Sequence, residues 1–384
     1  MRINNVQPPV IRMGGQRARD LAQDGIDVID LGPSSPHYVT PKHIIDAGVK
    51  ALYDGYTNHA PALGLPEFKD ALAEKLYSNN RIQADPDKGI MVVPGSQQGL
   101  YYAVNAYVGS GDEVLLVEPA WGSFRQQVEL SEASPVAVAL SSEEEYHLSY
   151  EALDRCATDR TKLLIFNNPQ NPTGRVYTRL ELEDVARFAQ DRDLLVLCDE
   201  TYEYFVYDSN EHISLASIPG MLERTVTSFT FNKSYGMSGW RLGCMVAPAE
   251  LLEPMTRVQE YTASFVAPFI QMAGVAALRG PQDHIQEWRD ECRDLRLQVA
   301  NMFNTLPGIY CPITEGTTFL FPRFPGVETS VEMAERLLNK ALVTVTPGSG
   351  FGDSGEGHLR VSLMRSPRER VLEGVERIIK ALRG

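Results

Sequence analysis

The chain predicts an α/β fold: a three-layer domain built on a mostly parallel sheet, followed by a smaller α+β domain. Three observations carry this. From about residue 90 the pattern alternates strand, helix, strand, the rhythm of a parallel sheet with crossover helices. Several strands, such as VLLV and LLVLC, are near-continuous apolar runs, as expected where helices cover both sheet faces. The last hundred residues or so change to long helical stretches separated by short strands.

The elements follow in order. Residues 12–24 read as a short helix ending near Gly25, and residues 26–45 as a short strand and a Pro-containing loop. A helix runs from Lys42 to Tyr53, and GLPEFKDALAEKLYSNN carries a helical pattern from Pro66, a residue suited to a helix's first turn. GIMVVPGS is a strand leading into the helix QQGLYYAVNAY. DEVLLVEP, SPVAVAL and TKLLIFNNP are strands, RLELEDVARFAQDRD is a helix, and LLVLCDE, RTVTSFTF and GCMVAP are strands. A long helix over about 281–305 leads to GTTFLFPRF, a helix near 330–341, the strands ALVTVTPG and HLRVSLM, and a closing helix from about 367. The expected division is 1–45 packing with the small domain, 46–285 as the large domain and 286–384 as the small one.

With 384 residues, 43% of them hydrophobic, the chain can bury a substantial core. Its 36 basic and 50 acidic residues give a formal charge of -14, which argues against a nucleic-acid or anionic-membrane surface. Cys156, Cys198, Cys244, Cys292 and Cys311 are scattered and show no CxxC spacing. Neither a disulfide scaffold nor a metal site is expected, and the default is a reducing, cytoplasmic compartment. No signal-peptide core or membrane-length apolar window is present.

Six stretches can carry chemistry. VVPGSQQGL ends a strand and opens a helix, so Gly95, Ser96 and Gln97 offer backbone N–H groups to an anion. EPAWGSF places Trp121 just past a strand, where a flat indole can stack on an aromatic ligand. NNPQNPTGRVY packs much turn chemistry around Asn171, which both donates and accepts. LLVLCDETY puts Asp199 at the end of an apolar strand, with Tyr202 three residues on; a carboxylate there needs a charged or donating partner. TSFTFNKSYGMSGWRLG surrounds Lys233 with apolar neighbours that favour its neutral, nucleophilic amine. Thr230 and Arg241 flank it with groups suited to phosphate. HLRVSLM sets Arg360 inside an apolar strand, where a guanidinium wants a planar anion. Each stretch alone also has a plain structural reading: a turn, a core tryptophan, a helix cap or a salt bridge. Together they describe one ligand, pyridoxal 5′-phosphate, whose aldehyde joins a lysine and whose ring nitrogen wants an acid.

NPxNPTG, DETY, KxxxxxGWRLG, TPGSGFG and LRVSL occur in this order. On these motifs the chain resembles the class I/II aminotransferases, fold-type I enzymes that use pyridoxal phosphate, from about residue 27 to the C-terminus. The resemblance implies that Lys233 forms an imine with the cofactor and later moves the proton between the substrate Cα and the cofactor C4′. It implies that Asp199 pairs with the ring nitrogen, that Asn171 and Tyr202 bond the phenolic oxygen, and that Trp121 stacks on the ring. Ser96, Gln97, Thr230 and Arg241 would hold the phosphate, and Arg360 the substrate α-carboxylate. Homodimers with shared sites are usual in the family. This chain departs from the pattern at Thr230 and Asn232, where a serine and a small residue are usual. In GYTNHAPALG, His59 stands where many members bring a phosphate-binding tyrosine from the partner subunit. The substrate-side loop that often reads GEPDF is here SSPHY, Ser34 to Tyr38.

The expected activity is amino transfer from an α-amino acid to a 2-oxo acid. Elimination, replacement, cyclisation or decarboxylation would use the same Lys233, Asp199 and Arg360. A non-catalytic regulator on the same fold is the third reading, opposed by the acidic balance and the lack of room for an N-terminal DNA-binding domain. No second arginine is assigned to a side-chain carboxylate, so the residues do not point to a dicarboxylic substrate.

Overall fold

A computed structural model of the chain describes residues 14–324, 326 and 328–383. The strands are β1 (Ile29–Asp30), β2 (Ile90–Val93), β3 (Glu113–Glu118), β4 (Ser134–Ala139), β5 (Thr161–Asn167), β6 (Leu195–Asp199), β7 (Thr225–Thr230), β8 (Gly243–Val246), β9 (Phe319–Leu320), β10 (Val343–Thr344), β11 (Thr346–Pro347) and β12 (Leu359–Ser362). The helices are α1 (Gly15–Gln23), α2 (Lys42–Tyr53), α3 (Pro66–Lys75), α4 (Ser96–Tyr107), α5 (Ser123–Leu130), α6 (Tyr150–Asp154), α7 (Arg179–Asp191), α8 (Ala249–Glu260), α9 (Pro268–Arg279), α10 (Asp283–Phe303), α11 (Ser330–Ala341) and α12 (Arg368–Arg383).

Seven strands form the main sheet in the order β2-β8-β7-β6-β5-β3-β4. Strand β8 runs antiparallel to β2 and β7, and the other pairs are parallel. The apolar runs are continuous because alternate residues enter two different cores. Leu164, Phe166, Val196 and Cys198 pack with Leu182, Val185 and Phe188 of α7. Leu163, Ile165 and Leu197 pack on the other face with Leu100 and Val104 of α4 and Leu252 and Met255 of α8. Side chains alternate along a strand, so a strand buried on both faces has no polar positions to spare.

Strands β9, β12 and β11 form a small antiparallel sheet. Its core joins Val361 to Leu295, Val299 and Phe303 of α10, Leu337 of α11, and Val371 and Val375 of α12. Strand β1 pairs in parallel with β10, and Ile29 and Leu31 enter that same core. Helices α7 and α11 each start with a reciprocal cap, Thr178 with Glu181 and Thr329 with Glu332.

Some local expectations shift. Residues 12 and 13 of the first expected helix lie outside the described residues, as do residues 1–13 of the expected N-terminal segment. The pattern from Pro66 does not stay α-helical: α3 ends at Lys75, and a wider π turn over Leu76–Asn80 closes on Arg81 at φ 56°. GTTFLFPRF yields only the two-residue β9, because Arg323 bridges instead to Tyr310 and His358. Helices α5, α6, α8 and α9 add to the expected set. Pro254 lies inside α8 and Pro268 opens α9, and a proline reads as a boundary in a sequence. Packing of α8 on α4, and of α9 on α2 and α3, overrides that local signal.

Strands β3, β5, β6 and β7 run parallel and end at Glu118, Asn167, Asp199 and Thr230. These ends share one edge of the sheet, the edge where ligands bind in open α/β folds.

Candidate active site

The floor of the site is Asp199, the last residue of β6, and it is buried. Its Oδ1 accepts from the Thr201 hydroxyl at 2.6 Å and the Thr201 N–H at 3.2 Å. Burial pushes its carboxyl up to about 6, against the pull of those two bonds and of Lys233. Lys233 follows β7, and its Nζ donates to the Ser34 carbonyl at 2.9 Å and to the Ser34 hydroxyl at 3.0 Å. Burial, and after it the charge of Arg360, brings the ammonium down to about 7. A sizeable fraction of this amine is therefore neutral at neutral pH.

The Asn-Pro loop after β5 is tied to the floor. Asn167 Oδ1 accepts from the Asn171 N–H at 2.6 Å, and Asn167 Nδ2 donates to the Asp199 carbonyl at 2.6 Å. From the far side Arg175 holds the loop through Glu181 at 3.0 Å and Glu315 at 2.5 Å. Arg360 reaches in from β12. Its Nη1 donates to Asn171 Oδ1 at 3.0 Å and its Nη2 to the Gly32 carbonyl at 2.9 Å. The guanidinium lies 4.3 Å from the Phe319 ring centre and 4.9 Å from that of Phe351. Burial lowers its pKa to about 10, so it stays cationic at neutral pH. Tyr202 is buried with its ring centre 5.9 Å from Lys233 Nζ. Burial raises its phenol far above the ordinary value, so it is a hydrogen-bond donor.

A second corner suits an anion. Gly95 caps α4 at φ 83°, and Arg241 lies over it. Arg241 Nη1 donates to the Ser238 carbonyl at 2.9 Å and Nη2 to the Pro94 carbonyl at 3.3 Å. A Cβ at position 95 would stand 2.2 Å from Arg241 Nη2, so only glycine leaves room for the guanidinium. A Cβ at Gly243 would stand 2.6 Å from the Ser96 nitrogen, which shows how closely β8 abuts the helix start. Thr230 Oγ1 accepts from the Asn232 N–H at 3.3 Å. Trp121 forms the facing wall, edge-on to Phe124 at 5.5 Å.

These groups line one cavity of about 700 Å³: Ser34, Ser96, Gln97, Trp121, Asn171, Asp199, Tyr202, Thr230, Lys233, Arg241 and Arg360. Gly95 stands behind it as the helix cap. His59 does not line it; this exposed ring lies 4.3 Å from that of Phe265. The wall also includes residues that the motifs did not single out. Arg19 comes from α1 and Asp30 from β1, and Thr201, Ser238 and Thr344 line it too. Thr201 was findable, since it lies inside DETY between two assigned residues. Arg19 carried no such signal. The arrangement can hold a flat aromatic anion, since a helix start, an acid, an indole, an amine and two guanidinium groups border one cavity.

A model of the family described as aminotransferase class I and II matches residues 26–378. An aspartate aminotransferase of Pyrococcus abyssi is 40% identical to this chain, with 100% of this chain and 97% of that protein covered. An aromatic-amino-acid aminotransferase 2 of Thermococcus litoralis is 38% identical, with the same coverage. The solved structure of Thermus thermophilus aspartate aminotransferase with maleate superposes with a TM-score of 0.92 at 31% identity, covering 99% of this chain and 98% of that one.

Proposed function

The chain belongs to the class I and II aminotransferases, and from that premise we propose how its cavity moves an amino group from an α-amino acid to a 2-oxo acid. Pyridoxal 5′-phosphate fits the residues present. Beside Arg241 the missing Cβ of Gly95 leaves the room that a phosphate corner needs, with the N–H groups of Ser96 and Gln97 and the Thr230 hydroxyl as further donors. Arg360 Nε is a buried donor with no partner among the described residues, which suits a carboxylate. When bound, the cofactor supplies an aldehyde that condenses with amines and a ring that draws electrons from the substrate Cα.

The chain's own groups do the rest. Lys233 would hold the cofactor's aldehyde carbon and afterwards, as a free amine, take the proton from the substrate Cα and deliver it to the cofactor C4′. Its low pKa suits both tasks. Asp199 accepts the hydrogen bond of a protonated ring nitrogen, a cation that would keep this buried carboxylate ionised. Asn171 and Tyr202 would donate to the ring's phenolic oxygen, and Trp121 would stack on the ring. Arg360 receives the α-carboxylate beside Asn171 and thereby orients the Cα–H bond. Ser34 lies on the substrate side.

The proposal includes a homodimer with shared sites, in which His59 serves the second copy's phosphate. His59 is exposed rather than turned into its own cavity, and Val49, Leu52 and Tyr53 leave an exposed apolar face on α2. We take 46–285 as the cofactor-holding unit and 286–384 as the small one, with the described part of residues 1–45 packing on the latter. We place the enzyme in the cytoplasm: all five cysteines are free. Among the described residues no helix is long and apolar enough to cross a membrane.

The Lys233–Asp199 pair at the sheet edge carries this reading. The test is a single half-reaction: mix the yellow holoenzyme with amino acids and no oxo acid. One equivalent of 2-oxo acid per site, then arrest until an acceptor is added, is the expected result. Continued turnover without acceptor would show that the chemistry is elimination or decarboxylation instead.

A further inference from the structure

The backbone of Asp199 is fixed from both neighbouring strands. Its carbonyl accepts from Asn167 Nδ2 at 2.6 Å and from the Asn168 N–H at 3.0 Å, and the next N–H, that of Glu200, donates to the Ser228 carbonyl at 3.0 Å. Its side chain is held by Thr201, and both bonds fall on one oxygen: the Thr201 hydroxyl and N–H each donate to Oδ1. Among the described residues Oδ2 takes no hydrogen bond, which leaves it for a ligand in the cavity that Asp199 and Thr201 both line. Glu200, the adjacent acid, is drawn elsewhere. Its Oε1 accepts from the Leu215 N–H at 3.3 Å, and its Oε2 accepts from the Ser214 hydroxyl at 2.5 Å and lies 3.0 Å from His212 Nε2. Lys233 is the cation whose charge acts on Asp199.

We propose that Thr201 is a positioning residue for the cofactor's ring nitrogen: its hydroxyl keeps Asp199 a carboxylate with Oδ2 free for the ring, so that the proton the two groups share stays on nitrogen. The inference rests on the function proposed above and deepens it. Burial brings the Asp199 carboxyl up to about 6, into the range of a pyridine nitrogen, so the two compete for one proton. Only the form with the proton on nitrogen is a cation that draws electrons strongly from the substrate Cα. A hydroxyl that donates to the carboxylate stabilises the charged form of the acid and so sends the proton to the ring. Lys233 favours the same state only while its amine stands near Asp199, because the aldehyde it joins lies across the ring from the nitrogen. Thr201 donates throughout. The competing account is that Thr201 only closes the turn after β6, a task its backbone N–H performs without the hydroxyl.

The experiment loads the enzyme with pyridoxal 5′-phosphate carrying nitrogen-15 in its ring and reads that nitrogen's NMR shift near neutral pH, with kcat alongside. The samples are the wild type, Thr201→Val, Thr201→Ala, Thr201→Ser and Asp199→Asn. Valine keeps the size of the side chain and the backbone bond to Oδ1, and alanine carries the test should the valine variant not fold. The expected wild-type resonance is that of a protonated ring. In Thr201→Val and Thr201→Ala it should move toward neutral pyridine while kcat falls about tenfold, as for loss of one hydrogen bond to a charged group, and serine should restore both. A resonance unmoved by valine and alanine, whatever happens to kcat or Tm, would overturn the proposal and leave Thr201 a turn residue. A serine variant that behaves like the valine one would overturn it too, since the hydroxyl would not be the cause. Asp199→Asn separates this from the reading beneath it, because it should bring the resonance to the neutral position. Should it fail to do so, or should the wild type take up no cofactor, the function proposed above fails as well. Should Asp199→Asn move the resonance and the Thr201 variants not, only the role of Thr201 fails.

Discussion

Arg360 Nη1 donates to Asn171 Oδ1 at 3.0 Å, joining residues 189 positions apart. One comes from the small sheet and the other from a loop at the edge of the main sheet. The bond sets the guanidinium in line with the floor of the cavity, because Asn171 is itself held to Asn167, and Asn167 to Asp199. Asn171→Ala should therefore do more than remove a donor to the cofactor. It leaves Arg360 with one fewer acceptor in a buried place, a loss of about 1–3 kcal/mol. The expected result is a rise in KM for every amino acid together with a lower kcat. Arg360→Lys should raise KM by about 100-fold, since an ammonium cannot reproduce the two-donor fork. Steady-state kinetics on both variants checks this.

Lys233 offers a test independent of turnover. Its folded pKa of about 7 lies below the ordinary 10.5. For a cation with a lowered folded pKa, the unfolded chain binds more protons between those two values, so stability rises with pH across that window. The contribution is full above 10.5 and is lost as pH falls to about 7. Lys233→Met removes the group. The stripped variant should melt above the stripped wild type at pH 7, by a margin equivalent to a few kcal/mol, and the margin should shrink steadily toward pH 10. Calorimetry of the two apoproteins would reveal it; a margin that is flat with pH would contradict the burial argument.

The same shift governs reactivity. Only the neutral amine attacks an aldehyde. The rate at which apoprotein takes up pyridoxal 5′-phosphate, followed by the imine absorbance, should climb up to about pH 7 and then level off. A surface lysine would keep climbing for about three more pH units. Asp199→Asn cannot hold a proton on the ring nitrogen, and it should lower kcat by about 100-fold or more while the variant still takes up the cofactor.

How much of this was legible beforehand follows from where the signals sit. Strands β5 and β6 announce themselves because Leu163–Phe166 and Leu195–Cys198 feed two cores by turns. Asp199, Lys233 and Arg360 stood out as charges embedded in apolar or small-residue runs, where a charge needs a reason. Arg19 had no such contrast: it lies in GQRARDLAQ, a polar helix, and only the fold brings it to the cavity that Asp30 and Thr344 also line. Helix α8 was hidden by Pro254 and revealed by its packing on α4. The role of Ser34 as acceptor for Lys233 spans 199 positions of sequence and has no local trace.

Gly95 closes the set of tests, because its role separates fold from function. Two costs attend Gly95→Ala. The backbone at φ 83° disfavours any side chain, for about 1–3 kcal/mol. The new Cβ would also stand 2.2 Å from Arg241 Nη2, so the guanidinium must move away from the helix start. The first cost lowers the melting temperature of the apoprotein whatever residue occupies position 241. The second weakens cofactor affinity only while Arg241 is present. The single variant should bind pyridoxal 5′-phosphate about tenfold more weakly. Adding Gly95→Ala to an Arg241→Ala background should cost stability but little further affinity. A double-mutant cycle in cofactor Kd and Tm reads both at once. Additive losses in Kd would mean that Arg241 and Gly95 serve the phosphate separately, and that the contact between them is packing alone.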